Sequence, residues 1–248
     1  MSGPTAEPAD EGLRERKKRL MRRQLSDAAT RMFTEHGFDA VRVAEVAAAC
    51  GVSEKTVFNY FPTKESLVLD RLEPALASLR TRLADAPVAP VEAALAILER
   101  ELGALTGQLA RQGDPGQGRE AIRRFGDLIR VTPSLRAYQS EMIDRFVAEA
   151  AEVLAARAGM NADDPEPQIA ARSLLGLWHV QASSLRRHLD GAATPERLRD
   201  LVSGDVRRAA RLIEAGLHGF AAAAPAPAAG RGGSGPAGQD AQEPRAVR

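Results

Sequence analysis

Apolar residues recur at intervals of three and four along most of this chain, and prolines and glycines cut the pattern into helix-sized lengths. Leu25, Ala28, Ala29, Met32 and Phe33 trace one stripe; Phe146, Ala150, Val153 and Leu154 trace another. Such spacing places the apolar set on one face of an α-helix. β-branched runs with a period of two, which would mark half-buried strands, are absent from the sequence. Breakers fall at Gly37, Gly51, Pro62, Pro87, Pro90, residues 112–118 (QGDPGQG), Pro133, residues 159–167 and residues 190–195. The pattern predicts an all-α protein with helices over 13–36, 44–50, 53–61, 64–85, 91–111, 119–131, 134–158, 168–189 and 196–220.

With 248 residues, 44% hydrophobic and 27% charged, the chain can bury a sizeable core. Its net charge of +1 gives no global field toward a polyanion, so any nucleic-acid affinity has to come from local segregation of charge. The single cysteine, Cys50, rules out an intramolecular disulfide, fits a reducing cytosol, and reads as a small packed apolar residue. No apolar run is long enough to span a bilayer, and the basic stretch 14–23 is not followed by the apolar segment of a signal peptide. A cytoplasmic protein is expected. Residues 1–12 and 221–248, rich in Pro, Gly and small side chains, read as a disordered leader and tail.

The stretch CGVSEKTVFNYFPTKESL, residues 50–67, concentrates Phe58, Tyr60 and Phe61 in a chain that is only 4% aromatic. Val43, Val46 and Ala47 give the short helix before it an apolar face. Gly51 supplies a sharp turn, and Ser53 suits the N-cap of the next helix. In that helix Val57 and Phe61 face inward, while Lys55 and Asn59 share the outward face with Glu54, Thr56 and Phe58 around them. This is the layout of a helix-turn-helix, whose second helix enters the major groove. Lys55 can donate to guanine O6 or N7, Asn59 can pair with adenine, Glu54 can accept from cytosine N4, and Phe58 can touch a thymine methyl. Tyr60 and Lys64 can reach phosphates. A plain α-hairpin with a solvated face would share the geometry, but it would not call for an exposed tyrosine followed by PTKES.

Residues 37–68, GFDAVRVAEVAAACGVSEKTVFNYFPTKESLV, closely resemble the DNA-binding domain of TetR-type transcriptional regulators. The likeness rests on Gly37-Phe38, Val46-Ala47, Gly51-Val52-Ser53, Thr56-Val57-Phe58, Tyr60-Phe61 and Lys64-Glu65, and extends over about 17–78. It implies an all-helical homodimer with a three-helix head over 13–78 and a ligand-binding and dimerisation domain over 79–220. It also implies that Arg42, Val43, Ala44, Ser53, Glu54, Lys55, Thr56, Phe58, Asn59, Tyr60 and Lys64 form the DNA-binding set. Arg42 departs from the family pattern, which carries a capping Thr or Ser there; an arginine has no acceptor with which to cap, though it can neutralise a phosphate. Beside such a head, the basic residues Arg14, Arg16, Lys17 and Lys18 are expected to form a DNA arm contacting phosphate or minor groove.

Beyond residue 79 the resemblance fades. Two apolar helices close the pattern, one with Leu174, Leu175, Leu177, Trp178, Ala182 and Leu185, the other with Leu198, Leu201, Val202, Val206, Ala209, Leu212 and Ile213. The resemblance implies that they pair with their copies across a dimer. Phe125, Ile129, Tyr138, Met142, Phe146, Leu174, Trp178 and His179 are the expected wall of an effector pocket, against the plainer reading that they only pack. No nucleophile elbow, phosphate loop, dinucleotide fingerprint or zinc spacing among His36, His179, His188 and His218 appears, so neither an enzyme nor a metal site nor a cofactor is expected. The expected partners are a double-stranded operator with an inverted repeat, a second copy of the chain and a small-molecule effector, without a membrane. The expected role is a repressor released by that effector; a regulator controlled without an effector, or an activator, is the alternative.

Overall fold

The computed structural model describes residues 8–70, 73–85, 87–111 and 114–221. Of the leader expected over 1–12, residues 1–7 lie outside the described residues and 8–12 are helical rather than disordered; of the tail expected over 221–248, Ala221 ends a helix and the rest lies outside the described residues. Among the described residues all regular structure is helical: α1 (Pro8–His36), α2 (Val43–Ala49), α3 (Glu54–Tyr60), α4 (Ser66–Leu69), α5 (Glu73–Ala84), α6 (Pro90–Arg111), α7 (Pro115–Val131), α8 (Pro133–Ala158), α9 (Pro165–His188) and α10 (Pro195–Ala221).

Several helices start a few residues earlier than the sequence pattern predicts. Pro90, Pro115, Pro133, Pro165 and Pro195 are the first residues of their helices rather than breaks before them. A proline costs nothing at that position, because its missing N–H would have had no partner and its fixed φ is already helical. The helix predicted over 64–85 is instead two, α4 and α5. Residues 71–72 between them lie outside the described residues, and Pro74, which can donate no hydrogen bond inside a longer helix, sits without penalty in the first turn of α5. The basic run 14–23 is fully helical within α1, which starts at Pro8 rather than Leu13.

Two apolar cores form. The larger joins α5, α6, α8, α9 and α10 through Leu79, Leu83, Ile97, Leu98, Leu154, Leu174 and Val202. Arg157 on α8 fastens the α5–α6 connection to it by donating to the carbonyls of Leu83 (2.9 Å) and Val88 (3.0 Å). Between α9 and α10, Asp205 accepts from Ser184 Oγ (2.7 Å) and lies 3.1 Å from His188 Nε2, with Arg187 and Arg208 also on its carboxylate. Ser184 foremost, with His188 and Arg208, lowers the Asp205 carboxyl to about 2. Because its folded value is depressed, the stabilisation it gives is complete above the ordinary carboxylate range and is lost as the pH falls through about 2.

The smaller core belongs to the head. Leu25, Ala29 and Phe33 of α1 meet Val46 and Ala47 of α2, Val57 of α3, Phe61, and Leu67 and Val68 of α4. Ser26, buried in α1, donates to the carbonyl of Leu67 at 3.0 Å and so leaves no unpaired hydroxyl between the two helices. Leu128 at the end of α7 and Leu135 at the start of α8 complete this core, with Phe125, Ile129 and Tyr138 packed around it. The boundary between cores therefore does not follow chain order. The head core is covered by an α7–α8 corner that lies beyond residue 120. Leu135 is fully buried there, while the neighbouring Val131 is 61% exposed. Leu135→Ala is expected to lower the unfolding free energy by about 2–5 kcal/mol, and Val131→Ala by no more than about 0.5 kcal/mol. Urea unfolding of both variants checks this, and equal losses would show that the corner is not part of the head core.

Candidate nucleic-acid interface

Val43, Val46 and Ala47 are buried on one side of α2, which ends at Cys50. Gly51 then takes φ +67°, a left-handed conformation that an L side chain rarely adopts. The turn is closed by the Val52 N–H on the carbonyl of Ala47 at 3.0 Å. Ser53 caps α3 as predicted: its Oγ accepts from the Thr56 N–H at 3.1 Å and lies 2.8 Å from the Thr56 hydroxyl. Val57 and Phe61 are fully buried and pin the inner side of α3. Its other side presents Glu54, Lys55, Phe58 and Asn59 to solvent, with Thr56 and Tyr60 half-buried at the edges. Phe58 stays 45% exposed, an apolar ring held in water on an otherwise polar face.

Two members of the expected set, Val43 and Lys64, sit differently. Val43 is buried against the head core, so it supports α2 and does not face outward. Lys64 is folded inward. Its Nζ donates to the carbonyl of Phe38 at 2.6 Å and lies over the rings of Phe38 (4.5 Å) and Phe33 (5.4 Å). Two aromatic faces and a carbonyl give an ammonium a favourable seat near the protein surface, so Lys64 joins α1, the turn after it and α4 rather than standing free for a phosphate. Arg42 stands at the N-cap of α2 with its side chain 81% exposed. Ala44 beside it is exposed as well. The cap comes from a residue that the sequence pattern did not single out: the Glu45 carboxylate accepts from the Arg42 backbone N–H at 2.7 Å. The acidic residue three positions into the helix was the available signal.

The arm residues divide. Arg14, Lys17 and Lys18 share one face of α1 and, with Glu15, Met21 and Tyr60, line a recess of about 400 Å³ beside the end of α3. Arg16 is not among the residues lining it. Near this point α1 is bound to α3 through Arg22, which sequence spacing did not distinguish from the run of cations. Its Nη1 donates to the Tyr60 carbonyl at 3.1 Å and its Nε to Asp70 Oδ1 at 2.6 Å, with its guanidinium 4.9 Å over the Phe61 ring.

The expected pocket wall is not one wall. Phe125, Ile129 and Tyr138 pack on the head core, whereas Met142, Phe146 and Leu174 are buried in the body core. Trp178 is half-buried at the edge of the body core, and its indole N–H donates to Glu101 Oε2 at 3.1 Å. Burial pushes the Glu101 carboxyl up, and this indole bond opposes the shift. His179 is exposed, 3.5 Å from the Ser183 hydroxyl. A cleft of about 720 Å³ opens elsewhere, between α1 and the first turns of α7, lined by residues that include Thr30, Arg31, Gln117 and Arg124. Cys50 is half-buried beside α1, and burial pushes its thiol up, away from the reactive thiolate. Among the described residues no cluster of three His, Cys, Asp or Glu side chains is placed to hold a metal ion, and no helix is long and apolar enough to cross a membrane.

Removal of the Glu45 cap gives a direct check on this geometry. Glu45→Gln is expected to cost about 0.5–1 kcal/mol and Glu45→Ala about 1–2 kcal/mol, as for other helix caps. Chemical unfolding of the two variants measures the difference, and an unchanged Glu45→Ala midpoint would show that α2 is capped otherwise.

Comparison with known proteins agrees with this geometry. Residues 25–70 match the family of bacterial regulatory proteins, tetR family, and residues 103–218 match the MftR C-terminal domain. The chain is 32% identical over 162 residues to the HTH-type transcriptional regulator TcmR of Streptomyces glaucescens, an alignment covering 63% of this chain and 69% of that protein. It is 27% identical over 154 residues to MftR of Mycobacterium tuberculosis, a transcriptional regulator named for mycofactocin biosynthesis, over 62% of this chain and 73% of that protein. A solved structure, SmeT, the repressor of the Stenotrophomonas maltophilia multidrug efflux pump SmeDEF, is 19% identical over 79% of this chain and 89% of its own, with a TM-score of 0.41. With a capped, outward-facing helix after a tight turn and family matches on both halves of the chain, the protein belongs to the TetR family of DNA-binding transcriptional regulators.

Proposed function

We propose that this regulator is a homodimeric repressor that reads an inverted-repeat operator and is released from it by a small-molecule effector. The observation that carries the DNA-reading part is the face of α3: Glu54, Lys55, Phe58 and Asn59 are exposed together while Val57 and Phe61, on the same short helix and its cap, are fully buried. A surface helix gains nothing in stability from holding an exposed phenylalanine among side chains that match the donor and acceptor pattern of base edges. Tyr60, Arg42, Ala44 and the Ser53–Thr56 cap would meet the phosphates that flank the groove in this docking mode.

In this reading the body supplies the dimer and the effector response. α9 and α10 carry the large apolar side chains Ile169 (62% exposed) and Leu212 (81% exposed), which a second copy would cover. An effector that favours one separation of the heads over another would change operator affinity, and the operator would change effector affinity by the same factor. Arg14, Lys17 and Lys18, on a helix too broad for a minor groove, would lie along the phosphate backbone beside Tyr60.

Selection of duplexes from random DNA with the full chain tests the reading. An inverted repeat is expected, with half-site centres roughly 34–36 Å apart. Charge removal at Arg14, Lys17 and Lys18 is then expected to leave the selected sequence unchanged and to flatten the dependence of log affinity on log salt by about 0.9 for each phosphate no longer neutralised. Selection of no motif would contradict the DNA-reading face. A motif bound equally tightly whatever small molecules stabilise the body would favour a regulator controlled without an effector.

A further inference from the structure

The last turn of a helix leaves carbonyls with no intrahelical partner, and a cation that donates to one of them both satisfies it and suits the negative end of the helix. For α3 that donor is Arg22. All of its nitrogens are engaged: Nη1 with the Tyr60 carbonyl at 3.1 Å, Nε with Asp70 at 2.6 Å, and Nη2 with Asp70 and with Glu73 Oε2 at 3.3 Å. The Phe61 ring lies under the guanidinium at 4.9 Å. Asp70, at the end of α4, is itself only 12% exposed in its side chain. Glu73 opens α5 and lies 3.7 Å from Arg145 of α8, which also carries the body-core residues Met142 and Phe146. These hydrogen bonds and partners hold the Arg22 guanidinium charged, with Asp70 the leading cause.

We propose that Arg22 is the positioning residue through which the α4–α5 junction sets the tilt of α3 against DNA. One planar fork holds the end of the DNA-facing helix on one side and, on the other, Asp70 at the end of the head and Glu73 at the start of the body. Because the fork is rigid, a shift of Asp70 or Glu73 relative to α1 cannot be absorbed without weakening the bond to the Tyr60 carbonyl. Lysine carries the same charge but donates from a single point, so it cannot hold both sides at once. A movement of α8 would reach α3 by this route, through Arg145, Glu73 and Arg22, without any change in the outward residues of α3. The proposal rests on the DNA-reading role of α3 given above.

The test compares wild type with Arg22→Lys, Glu73→Gln and the Arg22→Lys/Asp70→Asn pair. Each is measured for affinity to the selected operator, affinity to a scrambled duplex of equal length and thermal midpoint. A purely structural role would move both affinities together with the midpoint. The expected result is that Arg22→Lys keeps binding to scrambled DNA within about twofold, while the operator-to-scrambled ratio falls by about tenfold, the scale of one missing charge-assisted hydrogen bond. Adding Asp70→Asn should lower the ratio little further, since both act through one clasp. Glu73→Gln, on an exposed edge, should fold normally and reduce the ratio in the same direction by a smaller factor. An unchanged ratio in Arg22→Lys overturns the proposal, as does an additive double variant. If Arg22→Lys does not fold, an unchanged ratio in Glu73→Gln overturns it. Failure of the wild type to distinguish operator from scrambled DNA would instead overturn the DNA-reading role itself.

Discussion

Leu128 and Leu135 hold the two halves of this molecule in register. They come from the α7–α8 corner of the body, yet they are buried in the core of the head among Leu25, Phe33 and Leu67. A three-helix head of this size has little apolar surface to bury by itself, and cover from outside contributes a useful fraction of its stability. The same cover removes independence. The head cannot tilt freely while the corner sits in its core, so its orientation follows the packing of α7 and α8. Because apolar packing has no preferred direction, the leucines fix proximity while polar contacts fix angle. Arg22 with Glu73 supplies such a contact between α1 of the head and α5 of the body, while Arg22 with Asp70 and Ser26 with the Leu67 carbonyl set α1 against α4 inside the head.

Within the head, polar groups serve mainly to close ends. Ser53 closes the start of α3, Glu45 the start of α2, and Arg22 the end of α3. Lys64 fills a similar place between α1 and α4, where its ammonium meets the Phe38 carbonyl and two rings. With their ends satisfied in this way, two seven-residue helices can stand where neither would persist alone in water. The remaining side chains, Glu54, Lys55, Phe58 and Asn59, have no structural duty within the fold and are free to meet another molecule. That division between end-closing residues and outward residues is what makes the α3 face legible as a reading surface.

Much of this is readable from the chain because it follows from local rules. The helical period places nearly every element, Gly51 and Ser53 place the turn and cap, and the spacing of Val57 and Phe61 gives the inner side of α3. What escapes depends on distant residues or on rules with two readings. Proline at a helix start and proline inside a helix look alike in sequence, so helix starts slip by a few residues. Lys64 looks like a phosphate contact because nothing local signals that Phe33 and Phe38 enclose it. Phe125, Ile129 and Tyr138 stand close to Met142 and Phe146 in the chain, whereas three-dimensional packing assigns them to different cores. Arg22 is hidden among neighbours of the same charge; only folding brings Asp70 and the Tyr60 carbonyl to it.

The claim on which the rest depends is that the outward face of α3 reads bases. It is tested most directly by measuring Lys55→Ala against a panel of operator duplexes, each with one base pair changed. If Lys55 donates to a base edge, the variant should lose discrimination of about 1–3 kcal/mol at one symmetry-related position in each half-site and keep it elsewhere. If instead the variant weakens binding by the same factor at every duplex, including unrelated DNA, then Lys55 contacts only phosphate and α3 does not read sequence in the way its exposed face implies.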